Sequence, residues 1–227
     1  MFDPIFDSPA LAGRSLLAFD FFGFGESSKP DGFSYDLIDQ TQVLHQALRS
    51  AGIKEAVLVG HSLGGMVATL ALEELAHAEG AIEVKGLVSL EGNLRLADCG
   101  KSAEIAELPR DEFLAQFAQM AAAIEAEGGS GVARARWIRQ TSPIAFYKSA
   151  KSIVEWSRSG KLFSIFESHP TPKLLVKGAA SSFRSNPKGP FTQVVEIPQA
   201  SHFLLFDSPE AVITEILRFS NGIGQTC

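Results

Sequence analysis

Short apolar runs alternate along the chain with longer segments whose apolar residues recur at helical spacing. The runs are rich in valine and leucine and have the length of strands that are buried on both faces. This alternation is typical of βαβ units, in which helices cover a parallel sheet. Strands are therefore predicted at Ser15–Phe19, Ala56–Val59, Gly86–Leu90, Lys173–Lys177 and Gln193–Ile197.

Between these runs the pattern changes to that of helices. The segment Tyr35–Ala51 places Leu37, Leu44 and Leu48 near helical spacing, and Gly52 follows it as a plausible helix stop. The sequence therefore predicts an α/β protein with a mostly parallel sheet. Further helices are predicted at Leu63–His77, Arg110–Glu125, Ser149–Phe166 and Pro209–Asn221.

The composition excludes several classes of partner. The 227 residues carry a net charge of −6 without a block of like charges, which argues against nucleic acid or an anionic membrane as partner. No apolar stretch has the length of a transmembrane helix. Met1–Pro4 lacks the basic region of a signal peptide, so none is expected there. Of the two cysteines, Cys99 and Cys227, the second is the last residue, so no structural disulfide is expected. A cytoplasmic location is predicted.

One turn carries the main chemical signal, the G-x-S-x-G sequence Gly60-His61-Ser62-Leu63-Gly64. An apolar strand precedes it and an Ala/Leu/Glu-rich helix follows it, so the tight turn would expose a strained serine. Gly60 and Gly64 lack a Cβ atom and would let strand and helix approach closely. This context predicts Ser62 as a nucleophile and the N–H of Leu63 as a donor to an oxyanion. In the alternative interpretation, the serine only caps the helix.

Two other segments strengthen a resemblance to a known family. Residues 16–27 contain Asp20, Gly23, Gly25 and Ser27 in a D-x-x-G-x-G-x-S pattern, and residues 201–210 read SHFLLFDSPE. Together with the serine turn, they make nearly the whole chain resemble the α/β-hydrolase superfamily. The resemblance implies a three-layer α/β/α fold with a small helical cap. Residues 1–98 and 149–227 would form the core, and residues 99–148 would form the cap around a flexible joint at Gly128–Gly131.

A serine nucleophile needs a base, and the best candidate is His202. It follows the last predicted strand in a short loop, where the resemblance places the family's base. A loop histidine bonded to a backbone carbonyl is the alternative. The other histidines lie in the serine turn, on helices near surfaces, or before a proline: His61, His45, His77 and His169.

The acid that orients this base departs from the usual pattern. The family most often supplies it after the strand equivalent to Lys173–Lys177, but Gly178–Phe183 contains no carboxylate. A second arrangement in the superfamily places the acid after the preceding strand, and Glu91 stands there. Glu91 is predicted as the acid, with Asp98 as the fallback. Alternatively, Glu91 is a solvated strand-end carboxylate and the acid has been lost.

Four residues are predicted to line the substrate pocket. Core packing is the default role for Phe22, whereas the aromatic residues of the cap are better candidates because a cap covers the nucleophile. They lie in the serine turn, after the first predicted strand and in the cap: His61, Phe22, Trp137 and Phe146. Asp20 is predicted to brace loops and Ser27 to cap a turn, so neither is expected to be catalytic. No spacing of ligands predicts a metal, and Gly23-Phe24-Gly25 is not a dinucleotide fingerprint, so no cofactor is predicted.

The beginning of the chain also departs from the family. Met1–Leu11 resembles the helix that normally follows a His-Gly loop, so the first strands and one oxyanion donor are expected to be absent. The chain would then be either a mis-started reading of a longer gene or a truncated form. A truncated form would leave a sheet edge exposed, and a homodimer could cover it.

These observations favour a serine hydrolase that cleaves a small carboxylic ester, thioester, lactone or related acyl compound through an acyl-enzyme. The predicted partners are that small-molecule substrate and, for a truncated form, a second copy of the chain in a homodimer. The alternative is a catalytically impaired or non-catalytic protein that binds a ligand in the same pocket.

Overall fold

The computed structural model describes residues 1–77 and 81–223. In this part of the chain, four parallel strands form one sheet, and their spatial order follows their order in the chain. Parallel neighbours require a crossover connection, and helices supply it between each pair except β3 and β4. The strands are β1 (Glu55–His61), β2 (Glu83–Leu90), β3 (Lys173–Gly178) and β4 (Thr192–Ile197).

Helices account for most of the remaining described chain. Those around the sheet are α1 (Asp3–Phe6), α2 (Leu37–Ser50), α3 (Leu63–His77), α7 (Pro143–Ser159), α8 (Lys161–Ser168), α9 (Leu204–Asp207) and α10 (Pro209–Gly222). Those between β2 and α7 are α4 (Gly100–Glu107), α5 (Arg110–Ala126) and α6 (Ser130–Arg139). Short 3₁₀ turns occupy Pro9–Leu11 and Leu96–Asp98. In the part of the chain that is described, no helix is both long enough and apolar enough to cross a bilayer.

The sheet is buried on both faces, which explains why its strands read as continuous apolar runs. Leu87 of β2 and Leu175 of β3 belong to a core that α2, α3, α7 and α8 cover. Val88 follows Leu87 in β2, and Leu174 precedes Leu175 in β3. Both belong to a second core under α1, α9 and α10. Successive strand residues point to opposite faces. The predicted three-layer α/β/α arrangement is confirmed.

Two predicted elements are wrong. Ser15–Phe19 is not a strand, and Leu17 in this segment keeps 50% of its surface exposed. A strand needs a neighbour for its N–H and C=O groups, and within the described chain this segment has none, so β1 lies at the sheet edge. The helix predicted at Ser149–Phe166 is two helices, because Gly160 adopts a left-handed φ of 73° between α7 and α8.

The predicted cap region contains a small apolar core of its own. Phe113 and Phe117 of α5 pack with Phe146 and Tyr147 at the start of α7. Helix α7 runs through the boundary placed at residue 148, and the division into core and cap stays a prediction. Cys99 is buried and free. The prediction about a disulfide also concerns Cys227, which lies outside the described residues.

Candidate active site

Ser62 and Glu91 lie side by side because of the strand register. His61 at the end of β1 pairs with Leu90 at the end of β2, so the next residue of each strand leaves the sheet at the same level. The N–H of Ser62 donates to the carbonyl of Leu90 at 2.9 Å. This is the carboxyl edge of a parallel sheet, where open α/β proteins bind their ligands.

Both residues have strained backbones. Ser62 has a φ of 52° and Glu91 a φ of 49°, in the left-handed region that side chains other than glycine rarely occupy. Such strain costs about 1–3 kcal/mol per residue and concentrates at functional sites. The conformation turns each chain sharply at the end of its strand. It fits the exposed, strained serine that the G-x-S-x-G sequence predicts.

Close backbone contacts explain two glycines of the serine turn. A Cβ atom on Gly60 would lie 2.2 Å from the carbonyl oxygen of Gly64, and one on Gly65 would lie 2.9 Å from Cα of Gly92. A Cβ on Gly64 would meet only Phe21, at an ordinary 3.9 Å. Gly60 therefore has the predicted role. The second glycine that the close approach requires is Gly65, so the prediction of that role for Gly64 is wrong.

Leu63 is the first residue of α3. The first-turn N–H groups of a helix have no acceptor within the helix, so they can donate to a ligand. The carbonyl of Ser62 already accepts from the N–H groups of Gly65 at 2.9 Å and Met66 at 3.2 Å. The position of the Leu63 N–H at the helix start is the one expected of an oxyanion donor.

The Glu91 carboxylate is fully buried and joins two loops. Its Oε2 lies 2.7 Å from Nδ1 of His202 and also accepts from the Ser181 hydroxyl at 2.8 Å. Its Oε1 accepts from the N–H of Gly178 at 2.8 Å. The last residue of β3 and the loop after it, which contains no carboxylate, thus contribute two donors that fix Glu91 in place. Glu91 is not a solvated strand-end carboxylate.

Ser181 is a site residue that sequence reasoning missed. It lies in Gly178–Phe183, the loop where the family most often carries its acid. Only the missing carboxylate in that loop and the carboxylate at position 91 could have drawn attention to it. A serine among alanines and glycines has no pattern of its own, so the contact with Glu91 emerges only from the fold.

Contacts on both sides hold the His202 loop. The carboxylate of Asp207 accepts from the N–H and hydroxyl of Ser201, at 2.8 and 2.5 Å. Nε2 of His61 donates to the carbonyl of His202 at 2.7 Å. Because Nδ1 of His202 faces a carboxylate, it carries the proton, and Nε2 is left free to accept one. Its side chain keeps 37% of its surface exposed, as an imidazole that meets a substrate requires.

Ser62 and His202 are not hydrogen-bonded to each other within the described chain. The Ser62 hydroxyl makes no side-chain hydrogen bond there, although its backbone is fixed at both ends. Catalytic hydrogen bonds are often long in the absence of substrate and tighten when it binds.

His61 serves as a support for His202. It keeps only 8% of its surface exposed, and its ring lies 4.7 Å from that of His202. Burial, and then the nearby charge of protonated His202, lower the pKa of His61 to about 3. The imidazole therefore stays neutral and can donate from Nε2. The structure brings His61 into the site through this backbone contact.

The three aromatic pocket candidates lie in different surroundings. Phe22 packs edge-on against Phe33 at 5.3 Å. Phe146 packs inside the apolar core of the cap region. Trp137 of α6 contacts Phe206, just after the His202 loop, at 5.0 Å between ring centroids. Of these candidates, Trp137 is the one whose contact links the cap region to the loop of the predicted base.

Asp98, the fallback acid, has a different partner set. Its carboxylate accepts from the N–H groups of Leu94, Arg95, Arg184 and Ser185 and from the Ser185 hydroxyl. It braces two loops and makes no contact with His202 among the described residues. His45, expected near a surface, is buried, whereas the side chain of His77 lies outside the described residues.

Comparison with known proteins finds solved structures of similar fold. No curated protein matches the chain significantly. An E-2-(acetamidomethylene)succinate hydrolase is similar at 22% identity and a TM-score of 0.66, over 97% of this chain and 86% of that one. A variant of the N-acyl homoserine lactonase AidH, bound to N-hexanoyl homoserine, is similar at 15% identity and a TM-score of 0.68, over 92% of this chain and 78% of that one. A thermophilic esterase from Thermogutta terrifontis, with malate bound, is similar at 20% identity and a TM-score of 0.67, over 90% of this chain and 78% of that one.

At these identities the solved structures show the fold. The sequence itself matches a family model, that of the alpha/beta hydrolase family, over residues 2–215. The match includes the serine turn, Glu91 and the loop of His202. The chain belongs to the alpha/beta hydrolase family.

Proposed function

We propose that this hydrolase cleaves a small carboxylic ester, thioester or lactone through an acyl-enzyme on Ser62. One observation carries the proposal. The buried carboxylate of Glu91 is bonded to Nδ1 of His202, at the strand ends where Ser62 leaves the sheet. A nucleophile beside a base that a third group orients is the constellation of covalent acyl transfer.

In the first half of the reaction, Nε2 of His202 accepts the proton of the Ser62 hydroxyl as its oxygen attacks the substrate carbonyl. The N–H of Leu63 donates to the oxyanion that forms. Glu91 stabilises the imidazolium and holds its orientation. His202 then gives the proton to the leaving oxygen or sulfur, and the acyl group remains bonded to Ser62.

In the second half, water replaces the leaving group. His202 accepts a proton from the water, whose oxygen attacks the acyl carbonyl. The bond between that carbonyl and the Ser62 oxygen breaks, and the proton returns to Ser62. The carboxylic acid product leaves, and no cofactor takes part.

The substrate class rests on the chemistry of the site and on the similar structures. Serine rather than a carboxylate at position 62 argues for an acyl substrate. Lactonase and esterase structures share this fold. We infer that Trp137 lies in the pocket wall, because its ring contacts Phe206 just after the loop of His202. Phe22 and Phe146 are further candidates for the pocket wall.

One observation favours a second function, that of a protein that binds a ligand in this pocket without hydrolysing it. Within the described chain, the Ser62 hydroxyl is not bonded to His202, which a protein that binds a ligand without reacting would also show. A hydrolysis assay distinguishes these two functions. Hydrolysis of p-nitrophenyl acetate and of a small lactone should occur with the wild-type protein. It should fall by about 10⁴-fold or more in Ser62→Ala.

The matched control is Ser27→Ala. The Ser27 hydroxyl bonds the carbonyl of Asp20 and contacts neither Glu91 nor His202. This variant should keep activity close to wild type. A folded wild-type protein that hydrolyses neither substrate would favour the binding function, and equal rates in wild type and Ser62→Ala would contradict the role of Ser62.

A further inference from the structure

A cavity of about 360 Å³ opens beside the loop that follows β3, and its volume lies in the range of small-ligand sites. It shares no residue with the site of Ser62, Glu91 and His202. Two arginines, a serine, an asparagine and two apolar side chains line it: Arg95, Arg184, Ser185, Asn186, Ala97 and Phe163.

Within the described chain, the two guanidinium groups lack a carboxylate partner. Among the described residues, neither Arg95 nor Arg184 forms an ion pair with an Asp or Glu side chain. Nη1 of Arg184 donates to the carbonyls of Phe183 at 3.1 Å and Ser181 at 3.4 Å, which leaves its other donors free. Four arginines that do not line the cavity form such ion pairs: Arg110, Arg134, Arg139 and Arg218.

Buried Asp98 holds both arginines at fixed backbone positions. Its carboxylate accepts from the N–H of Arg95 at 3.0 Å and from the N–H of Arg184 at 2.9 Å. Two loops far apart in the sequence are thereby joined at the two residues that line the cavity. Fixing the backbones in advance lowers the conformational entropy that a ligand must remove on binding.

Phe163 orients the first arginine. The Cζ atom of Arg95 lies 3.5 Å from the centre of the Phe163 ring, so the guanidinium stacks on the ring face. A stacked guanidinium keeps the donors at its edge available for a planar or tetrahedral oxyanion. Ala97 and the ring of Phe163 add an apolar wall beside the two charges.

We propose that this cavity binds a small organic anion whose phosphate or carboxylate group is held between Arg95 and Arg184. Two unpaired guanidinium groups suit such an oxyanion, because charge-assisted bonds from arginine are about twice as strong as neutral ones. The apolar wall accommodates the carbon skeleton. Binding does not require turnover at Ser62, so this proposal and the hydrolase function can fail separately.

Calorimetric titration with inorganic phosphate and with citrate, at constant ionic strength, tests the site. Constant ionic strength removes the general screening of surface charge. We expect saturable binding of at least one anion, with a Kd of about 1 mM or tighter. Arg95→Gln and Arg184→Gln should each weaken it by about tenfold or more.

Arg110→Gln is the matched control, because Arg110 is an exposed arginine of α5 that pairs with Asp111 at 3.0 Å. It should leave the affinity unchanged. Circular dichroism establishes that each variant is folded. The proposal is overturned if neither anion binds the wild type saturably, or if both site variants bind as tightly as the wild type.

Discussion

Oε2 of Glu91 lies 2.7 Å from Nδ1 of His202, and Glu91 reaches this position from the end of β2. The loop after β3 would normally carry such an acid. Here the hydroxyl of Ser181 in this loop and the N–H of Gly178, the last residue of β3, donate hydrogen bonds to the Glu91 carboxylate. A carboxylate that is fully buried and fully bonded is well suited to orient an imidazole, because it has no freedom to turn toward water.

The Glu91 carboxylate should therefore govern turnover. Glu91→Gln keeps the shape of the side chain but removes its charge. It also replaces one acceptor oxygen with an NH2 donor, which faces another donor in either orientation of the amide. We expect kcat for an ester substrate to fall by about 10⁴-fold with little change in KM. Steady-state kinetics measure this. Glu196→Gln is the control, because Glu196 is an exposed carboxylate in an ion pair with Lys177. Near-wild-type kcat in Glu91→Gln would rule out this role.

Ser181 should act as a positioning residue for Glu91. Ser181→Ala removes one of the donors to the carboxylate and leaves the others. Loss of a single hydrogen bond to a buried charge corresponds to about 1.5–3 kcal/mol, so we expect kcat to fall by roughly 10- to 100-fold. KM should change little, because Ser181 contacts Glu91 and acts through it. The adjacent variant Ser182→Ala, at an exposed position, should match the wild type in both measurements. Equal kinetics in the two variants would argue against the role of Ser181.

The glycines of the serine turn should differ in their tolerance of a methyl group. Gly60→Ala would bring Cβ to 2.2 Å from the carbonyl oxygen of Gly64, and backbone on both sides prevents easy relief. We expect a loss of about 1–3 kcal/mol or more in the free energy of unfolding. Gly64→Ala places Cβ at 3.9 Å from Phe21 in a helix, where alanine is favoured. Urea unfolding that ranks the two variants in the opposite order would contradict the geometry.

The neutral state of His61 should make stability depend on pH. Burial and the charge of His202 lower its pKa to about 3 in the folded chain, below the unfolded value of 6.5. Between these values the unfolded chain binds a proton that the folded chain does not, so stability falls as the pH falls from about 6.5 toward 3. At pH 5 this difference in proton binding lowers the free energy of unfolding by about 2 kcal/mol.

His61→Gln isolates this contribution. The glutamine amide can donate to the carbonyl of His202 but does not titrate. Its free energy of unfolding should therefore fall less than that of the wild type between pH 7 and pH 5. Unfolding curves at both pH values measure the difference. Parallel losses in the two proteins would show that His61 is not held neutral by the fold.

Much of the site could be predicted because its residues directly follow strands. Ser62 and Glu91 each come after an apolar run, and parallel strands bring their carboxyl ends to one edge. Residues held by contacts between distant loops could not be found in this way. Ser181 meets Glu91 across 90 positions and Ser185 meets Asp98 across 87, and no local pattern marks either pair.

The failed strand prediction has a related cause. Ser15–Phe19 has the apolar pattern of a strand, but a strand forms only beside a partner. Without one in the described chain, Leu16 and Leu17 stay partly exposed. The break at Gly160 is different, because apolar spacing continues across it into α8. Its left-handed φ of 73°, and not the pattern, separates the two helices.

The most direct test of the central claim is covalent labelling of Ser62 by a fluorophosphonate, with the modified peptide identified by mass spectrometry. The account predicts one labelled site, Ser62, in the wild type, with no label in Ser62→Ala and sharply slower labelling in His202→Gln. Ser27→Ala should label as the wild type does. A folded wild-type protein that takes up no label, or label that persists in Ser62→Ala, would contradict the account.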